Sequence, residues 1–322
     1  MLSVLPSQPI GFTMLAAYLN PNVLTSTSAL ATRFASAKPF RHVVIDDFLK
    51  PDYIQALLSE FPAFERGNAR NEAGELGRKS VVERIRALGP AFTQLDELIQ
   101  TPAFLQLIGQ ITDIDELQYD PHYFGGGTHE NRSGQDLDPH VDFNLHPVTG
   151  GHRRLNLIVY LNEQWSDDWG GSLELHSDPR RADNQITLVT PLMNRAVIFE
   201  TTEWSWHGFA RINPPVEHAD VSRRSIALYF YTRERPAIER ADPHSTIYVD
   251  RPLPAHLRAG HTLSDDDAQI LNTAINRRDQ HIQRLYRDTQ RLETQLIEAQ
   301  KTLRMSRLGR LRAALGRYWA RL

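Results

Sequence analysis

The spacing of apolar positions changes along this chain, and the changes divide it into regions. Residues 51–61 place Ile54, Leu57, Leu58 and Phe61 three and four apart behind Pro51, which predicts an amphipathic helix with proline in its first turn. Residues 92–107 hold further short helical patterns around Pro102, and residues 42–46 are β-branched and strand-length. Residues 1–40 are apolar without a clear period. Pro6, Pro9 and Pro21 break any long helix there, so an irregular segment is expected. Between 119 and 235 the runs 155–161, 171–175, 185–189, 195–199 and 225–231 are strand-length and separated by turn residues. Short strands at such spacing predict a sandwich or barrel.

Residues 236–263 form a connector containing proline and histidine, and from 264 the pattern becomes helical. Leu271, Ile275, Arg278, Ile282, Leu285, Thr289, Leu292, Leu296, Ala299 and Leu303 alternate at spacings of four and three, a heptad seam interrupted by Arg and Thr. Residues 301–322 carry seven basic residues and no acidic one, with Leu308, Leu311, Leu315, Tyr318, Trp319 and Leu322 as an apolar stripe. Three readings of this tail stand side by side: a helix packed back on the chain, a coiled coil that makes a homodimer, and a basic amphipathic helix on a membrane surface. The fold class expected is therefore α+β. An irregular segment (1–40) and a helical support region (41–118) lead into a β core (119–235), followed by a connector (236–263) and a helical or coiled-coil tail (264–322).

Composition narrows the chemistry. The 322 residues are 41% hydrophobic and 23% charged, ordinary for a globular chain, so disorder throughout is excluded. The absence of cysteine removes disulfides, thiolate metal sites and thiol nucleophiles. A net charge of −3 argues against a nucleic-acid partner. No run reaches the length of a spanning helix, and the first basic residue is Arg33, so no secretion signal is read. The cytoplasm is the expected address, with the tail as a route to the membrane periphery.

Candidate chemistry begins at His140 and Asp142. In a strand, residues two apart share a face, so an imidazole and a carboxylate converge, and one distant histidine would complete a two-His, one-carboxylate metal site. The spacing alone is weak, because His176/Asp178 and His218/Asp220 repeat it. Context separates them. After His140 come Arg154-Leu-Asn-Leu-Ile-Val-Tyr-Leu-Asn-Glu-Gln-Trp165, then Trp169-Gly-Gly-Ser-Leu-Glu-Leu175, then Trp206-His207-Gly208, then Arg223-Arg-Ser-Ile-Ala-Leu-Tyr-Phe-Tyr231.

This order resembles the prolyl 4-hydroxylase-like branch of the iron(II)/2-oxoglutarate-dependent oxygenases over roughly residues 119–233. The resemblance implies a double-stranded β-helix (jelly-roll) core and a dioxygenase that hydroxylates an unactivated C–H bond, with a prolyl residue of a peptide or protein as the first candidate. Small metabolites are the other substrate class. It implies Fe(II), 2-oxoglutarate and O2 as cofactors, with ascorbate as a further candidate. His140, Asp142 and His207 would be the iron ligands, and no separate acid or base is needed. Arg223 would pair with the distal carboxylate of 2-oxoglutarate, Tyr160 would donate its hydroxyl to that carboxylate, and Leu173 would pack on its methylenes. Asn156 shares the face of Tyr160 and is a candidate contact, and Tyr119 or Tyr123 is a candidate pocket residue. Arg224 is the alternative to Arg223, since strand alternation lets only one of them face inward. Retention of Asp142 favours hydroxylation over halogenation. The competing class is a non-catalytic jelly-roll module that binds a glycan or protein and is tethered by its helical tail.

Overall fold

In the computed structural model, residues 10–67 and 79–319 are described, and the chain divides into two units, 1–251 and 252–322. The first unit carries helices α1 (Ile10–Tyr18), α2 (Pro21–Thr25), α3 (Thr27–Ser36), α4 (Pro51–Ser59), α5 (Pro90–Ile99) and α6 (Pro102–Thr112). Its strands are β1 (His42–Ile45), β2 (Lys79–Val82), β3 (Gln118–Tyr119), β4 (Gly127–Asn131), β5 (Leu137–Val141), β6 (His152–Tyr160), β7 (Leu173–His176), β8 (Ile186–Val189), β9 (Ala196–Glu200), β10 (Trp206–Phe209), β11 (Arg223–Thr232) and β12 (Ile247–Tyr248).

The segment expected to be irregular is instead helical from Ile10. Proline shortens helices here without preventing them: Pro21 opens α2, whose first turn is capped by the Asn20 side chain accepting from the Asn22 amide at 3.0 Å. Pro51, Pro90 and Pro102 open α4, α5 and α6 in the same way. Leu15, Val23, Leu30 and Phe34 of the first three helices, with Leu19 between α1 and α2, are buried in the main core.

The strands form two antiparallel sheets, in the orders β1-β9-β6-β11-β4-β2, with β3 also on β11, and β12-β5-β10-β7-β8. Alternation assigns the two faces of the larger sheet. Leu155, Leu157 and Val159 of β6, Ala196 and Ile198 of β9, and Ile226, Leu228 and Phe230 of β11 join the helices in the main core. The opposite face contributes Tyr160, Val197 and Phe199, which pack with Phe40 and with Leu173, Leu175 and Val189 of the smaller sheet. The chemistry-bearing residues lie between this face and the smaller sheet: Tyr160 and Arg223 on the larger sheet, His140, His207 and Leu173 on the smaller one. The connector is not featureless: its β12 pairs with β5, setting Tyr248 opposite His140.

The second unit is dominated by one helix, α7 (Asp265–Trp319). Ser264 and Asp267 cap it reciprocally: the Ser264 amide donates to Asp267 at 2.9 Å and the Asp267 amide to the Ser264 hydroxyl at 3.2 Å. Side chains from Leu303 onward lie outside the described residues, and so does the basic stripe expected over 301–322. Among the described residues no helix is long and apolar enough to cross a membrane.

Candidate metal and cosubstrate site

His140, near the end of β5, and His207, on β10, are direct cross-strand partners, with ring centroids 4.2 Å apart. Asp142 follows β5 by one residue and turns to the same side as His140. The His140 Nε2 lies 3.8 Å from one Asp142 oxygen and the His207 Nε2 3.5 Å from the other. Both imidazoles are oriented from behind. His140 Nδ1 sits 2.9 Å from the Asp138 carbonyl oxygen and His207 Nδ1 2.9 Å from that of Ser205. A carbonyl can only accept, so each Nδ1 carries the proton and each Nε2 turns a lone pair toward the common point.

The electrostatics suit a cation. Burial, aided by the neighbouring His207, pushes the His140 imidazole down to about 3, and burial also lowers His207, so both rings are neutral at ordinary pH. Burial alone would raise the Asp142 carboxyl. Arg153, with the two histidines and a hydrogen bond from Asn156, outweighs it and holds the group well below the usual carboxylate range. Two neutral imidazoles and one ionised carboxylate on one side of a point are the donor set of a ferrous facial site.

Arg153 and Asn156 are the support that a reading of the sequence missed or misplaced. Asn156 donates to Asp142 Oδ2 at 2.8 Å and accepts from Arg153 Nε and Nη2 at 3.1 and 2.8 Å. Its amide therefore orients the carboxylate. Arg153 itself reaches Asp142 at 3.2 Å, and its guanidinium carbon stands 3.6 Å from the Tyr229 ring centroid and 4.6 Å from that of Phe143. Simple alternation from Tyr160 through Asn156 would put residue 154 inward. Instead the register slips between Phe230 and Tyr231, whose partners are Leu155 and Arg153, so Arg153 turns in and Arg154 turns out to Glu200 and Glu239. We expect Asn156→Ala to weaken ferrous binding by about 10- to 100-fold with the fold intact, measured by metal titration of the purified protein.

The cosubstrate residues Arg223 and Tyr160 lie on the larger sheet, on the side that packs on the smaller one. Arg223 is buried, donates from Nε to the Gly171 carbonyl at 2.6 Å and from Nη2 to the Tyr160 hydroxyl at 3.1 Å, and stands over the Phe209 ring at 4.5 Å. Among the described residues no carboxylate pairs with it. Burial lowers its pKa, the response of a cation lacking an anion. Gly171 has φ +69, and a Cβ there would press on Trp165 at 2.8 Å, so the glycine is what lets this backbone approach the guanidinium. Arg224 points the other way, its side chain 40% exposed and 3.4 Å from Glu130. Leu173 is buried against Tyr160 in the inter-sheet cluster.

Two further groups share this face by register. Lys79 of β2 and Arg223 both pair with Asn131 of β4, and His129 of β4 pairs with Ser225. Burial pushes the Lys79 pKa down, with Arg223 adding to the effect, and burial with the Lys79 charge pushes His129 down to about 3. His129 and His140 are neutral in the folded chain and have an ordinary value of 6.5 when unfolded. The unfolded state thus binds more protons between about pH 6.5 and 3, and stability falls as pH falls through that window. Thermal unfolding of metal-free protein should drop in midpoint from pH 7 to pH 4, less steeply for His129→Leu.

The other sequence candidates go elsewhere. His176 is held by Glu174 at 3.2 Å and Asn184 at 2.8 Å, and His218 stacks on Trp169. Tyr123 donates to Asp96 at 2.7 Å among the helices, while Tyr119 lines a cavity of about 400 Å³ with His146 and Tyr231. A second grouping, His256, His261 and Asp267, sits in the other unit. Its 2.7 and 2.9 Å separations are hydrogen bonds onto a helix-capping carboxylate.

Comparison with known proteins places this arrangement. Residues 126–231 match the 2OG-Fe(II) oxygenase superfamily. A curated relative, prolyl 3-hydroxylase OGFOD1 of Mus musculus, is 30% identical over 135 residues, 38% of this chain and 23% of its own length. The match thus spans under a quarter of that relative. Among solved structures, a prolyl hydroxylase of Trichoplax adhaerens in complex with a hypoxia-inducible-factor peptide fragment aligns with a TM-score of 0.47 at 14% identity, covering 73% of this chain and 99% of that one. A prolyl 4-hydroxylase of Phytophthora capsici aligns at 0.47 and 18%, covering 87% and 79%, and one of Pseudomonas putida at 0.44 and 20%, covering 65% and 100%.

Proposed function

We propose that this chain is an Fe(II)- and 2-oxoglutarate-dependent dioxygenase hydroxylating an unactivated C–H bond, a reading supported by the match of residues 126–231 to the 2OG-Fe(II) oxygenase superfamily. Its substrate class is a peptide or protein with a prolyl residue as the hydroxylated unit, and its two sheets are read as a double-stranded β-helix. The observation that carries this reading is one set of residues gathered from the two sheets. It holds His140, Asp142 and His207 with their metal-binding atoms converged, and Arg223 buried without a carboxylate partner.

Iron with 2-oxoglutarate and O2 would supply the oxidising power that puts oxygen into a C–H bond. The residues of the chain do the rest. His140, Asp142 and His207 would hold the metal. Arg223, fixed by Gly171 and Tyr160, presents the two-donor fork that a carboxylate takes. Phe209, under the guanidinium, and Leu173, packed on Tyr160, are buried and apolar and would keep water from weakening that pair. Arg153 and Asn156 hold the Asp142 carboxylate so that it binds metal in one orientation.

The test is turnover with a panel of proline-containing peptides under Fe(II), 2-oxoglutarate and air. The expected result is succinate formation coupled to a one-oxygen mass gain on a prolyl residue. Succinate coupled to oxygenation of a small metabolite, with no peptide accepted, would retain the oxygenase and overturn the prolyl assignment. Neither product from metal-loaded protein would leave the binding-module reading.

A further inference from the structure

We propose that α7 pairs with the α7 of a second copy of this chain as a parallel, in-register, two-stranded coiled coil along the seam from Leu271 to Ala299. The helix spans 55 residues, about 80 Å at the rise of an α-helix. Large aliphatic side chains along the seam stand open to solvent: Ile275 is 54% exposed, Leu285 59% and Leu292 60%, and Ile282 and Leu296 are comparable. The spacings of four and three fix the heptad. Ile275, Ile282, Thr289 and Leu296 take position a, and Leu271, Arg278, Leu285, Leu292 and Ala299 take position d.

The residue types select the partner. β-branched side chains at a with leucine at d favour two parallel strands over higher assemblies, and here Ile275, Ile282 and Thr289 alternate with Leu271, Leu285 and Leu292. The polar positions fit that geometry. The Thr289 hydroxyl donates to the Leu285 carbonyl of its own helix at 2.8 Å, so it brings no unmet donor into the seam. Arg278 at d would pack into a hole bordered by position e of the other strand, which is Asp279, so each strand supplies an acid for the other's guanidinium. Such a pair in one layer also fixes the register. At the flanking positions one like-charged contact arises, Asp288 at g opposite Glu293 at e, and Asp288 is already paired with Arg291 at 3.3 Å.

Joining the seams covers roughly 1,000 Å² of apolar surface, and with the flanking stems this reaches the size of a specific interface. An anionic lipid surface is disfavoured for this stretch because Asp279, Asp288 and Glu293 border the seam.

The absence of cysteine makes the test clean. Leu271→Cys and Leu292→Cys each place one thiol at d near opposite ends of the seam, and Thr294→Cys places one at f, on the outer face. The expected result is a dimer mass for the native 322-residue chain by light scattering. After mild oxidation, covalent dimer should be about tenfold more abundant for both d variants than for the f variant. A monomeric native chain at tens of micromolar overturns the proposal. A dimer that cross-links at neither Leu271→Cys nor Leu292→Cys overturns the parallel register. Binding to anionic vesicles by a chain that stays monomeric overturns it in favour of the lipid.

Discussion

Replacing Asp142 with alanine will abolish ferrous binding and destabilise the protein even without metal, whereas His207→Ala will abolish binding with a much smaller loss of stability. The two ligands differ in what stands behind them. His207 leans on a backbone carbonyl that water can satisfy if the ring is removed. Asp142 is the carboxylate partner of Arg153, 3.2 Å away, and the Arg153 side chain is only 1% exposed. Removing one partner of a buried ion pair leaves the other charged and uncompensated, which typically costs about 3–5 kcal/mol. The same step removes one of three metal donors, so affinity should fall by more than the ~10–100-fold expected for an outer residue. Metal titration and urea unfolding of the apoprotein, run on both variants, separate the two effects. Equal stability losses for Asp142→Ala and His207→Ala would show that the Arg153 contact is not what holds this part of the sheet.

The second large effect belongs to Arg223. Its guanidinium is buried, held by Gly171 and Tyr160, and faces no carboxylate among the described residues. A carboxylate that pairs with it would lose about 2–5 kcal/mol on truncation to alanine, a weakening of roughly 30-fold to several thousand-fold. Arg223→Ala should therefore raise the 2-oxoglutarate concentration needed for half-saturation by that factor and leave ferrous affinity nearly unchanged. Arg223→Lys keeps the charge and loses the planar fork, so it should fall between. Arg224→Ala should behave like the native protein, because that side chain points out toward Glu130. The measurement is 2-oxoglutarate binding to the metal-loaded protein. A larger loss at Arg224 than at Arg223 would mean that β11 is in the other register.

Much of this was legible in the sequence, for identifiable reasons. β6, β9 and β11 are long or strongly β-branched, and the helix from Pro51 shows its period plainly. The strands that carry the ligands are not legible by propensity. β5 reads Leu-Asp-Pro-His-Val and β10 Trp-His-Gly-Phe, each with a residue that strands disfavour, and both owe their shape to pairing with neighbours. The spacing of His140 and Asp142 could not by itself be told from that of His176 and Asp178, because the difference lies in what surrounds them. His176 has Glu174 and Asn184 on its ring, and His140 has a clear Nε2 facing His207 and Asp142. Arg153 was hidden by the register slip in β6, which inverts the alternation that a linear reading assumes. The N-terminal helices were hidden because prolines that open short helices look, in sequence, like prolines that forbid long ones.

The central claim is that the residues gathered from the two sheets bind ferrous iron and 2-oxoglutarate together, and anaerobic titration tests it most directly. Ferrous ion and 2-oxoglutarate are added to purified native protein, and the visible charge-transfer band of the chelate is followed. The account predicts a saturable band with the native chain, absent in His140→Ala and displaced to much higher 2-oxoglutarate in Arg223→Ala. No band with the native chain, under conditions where the ion is shown to bind, would contradict it.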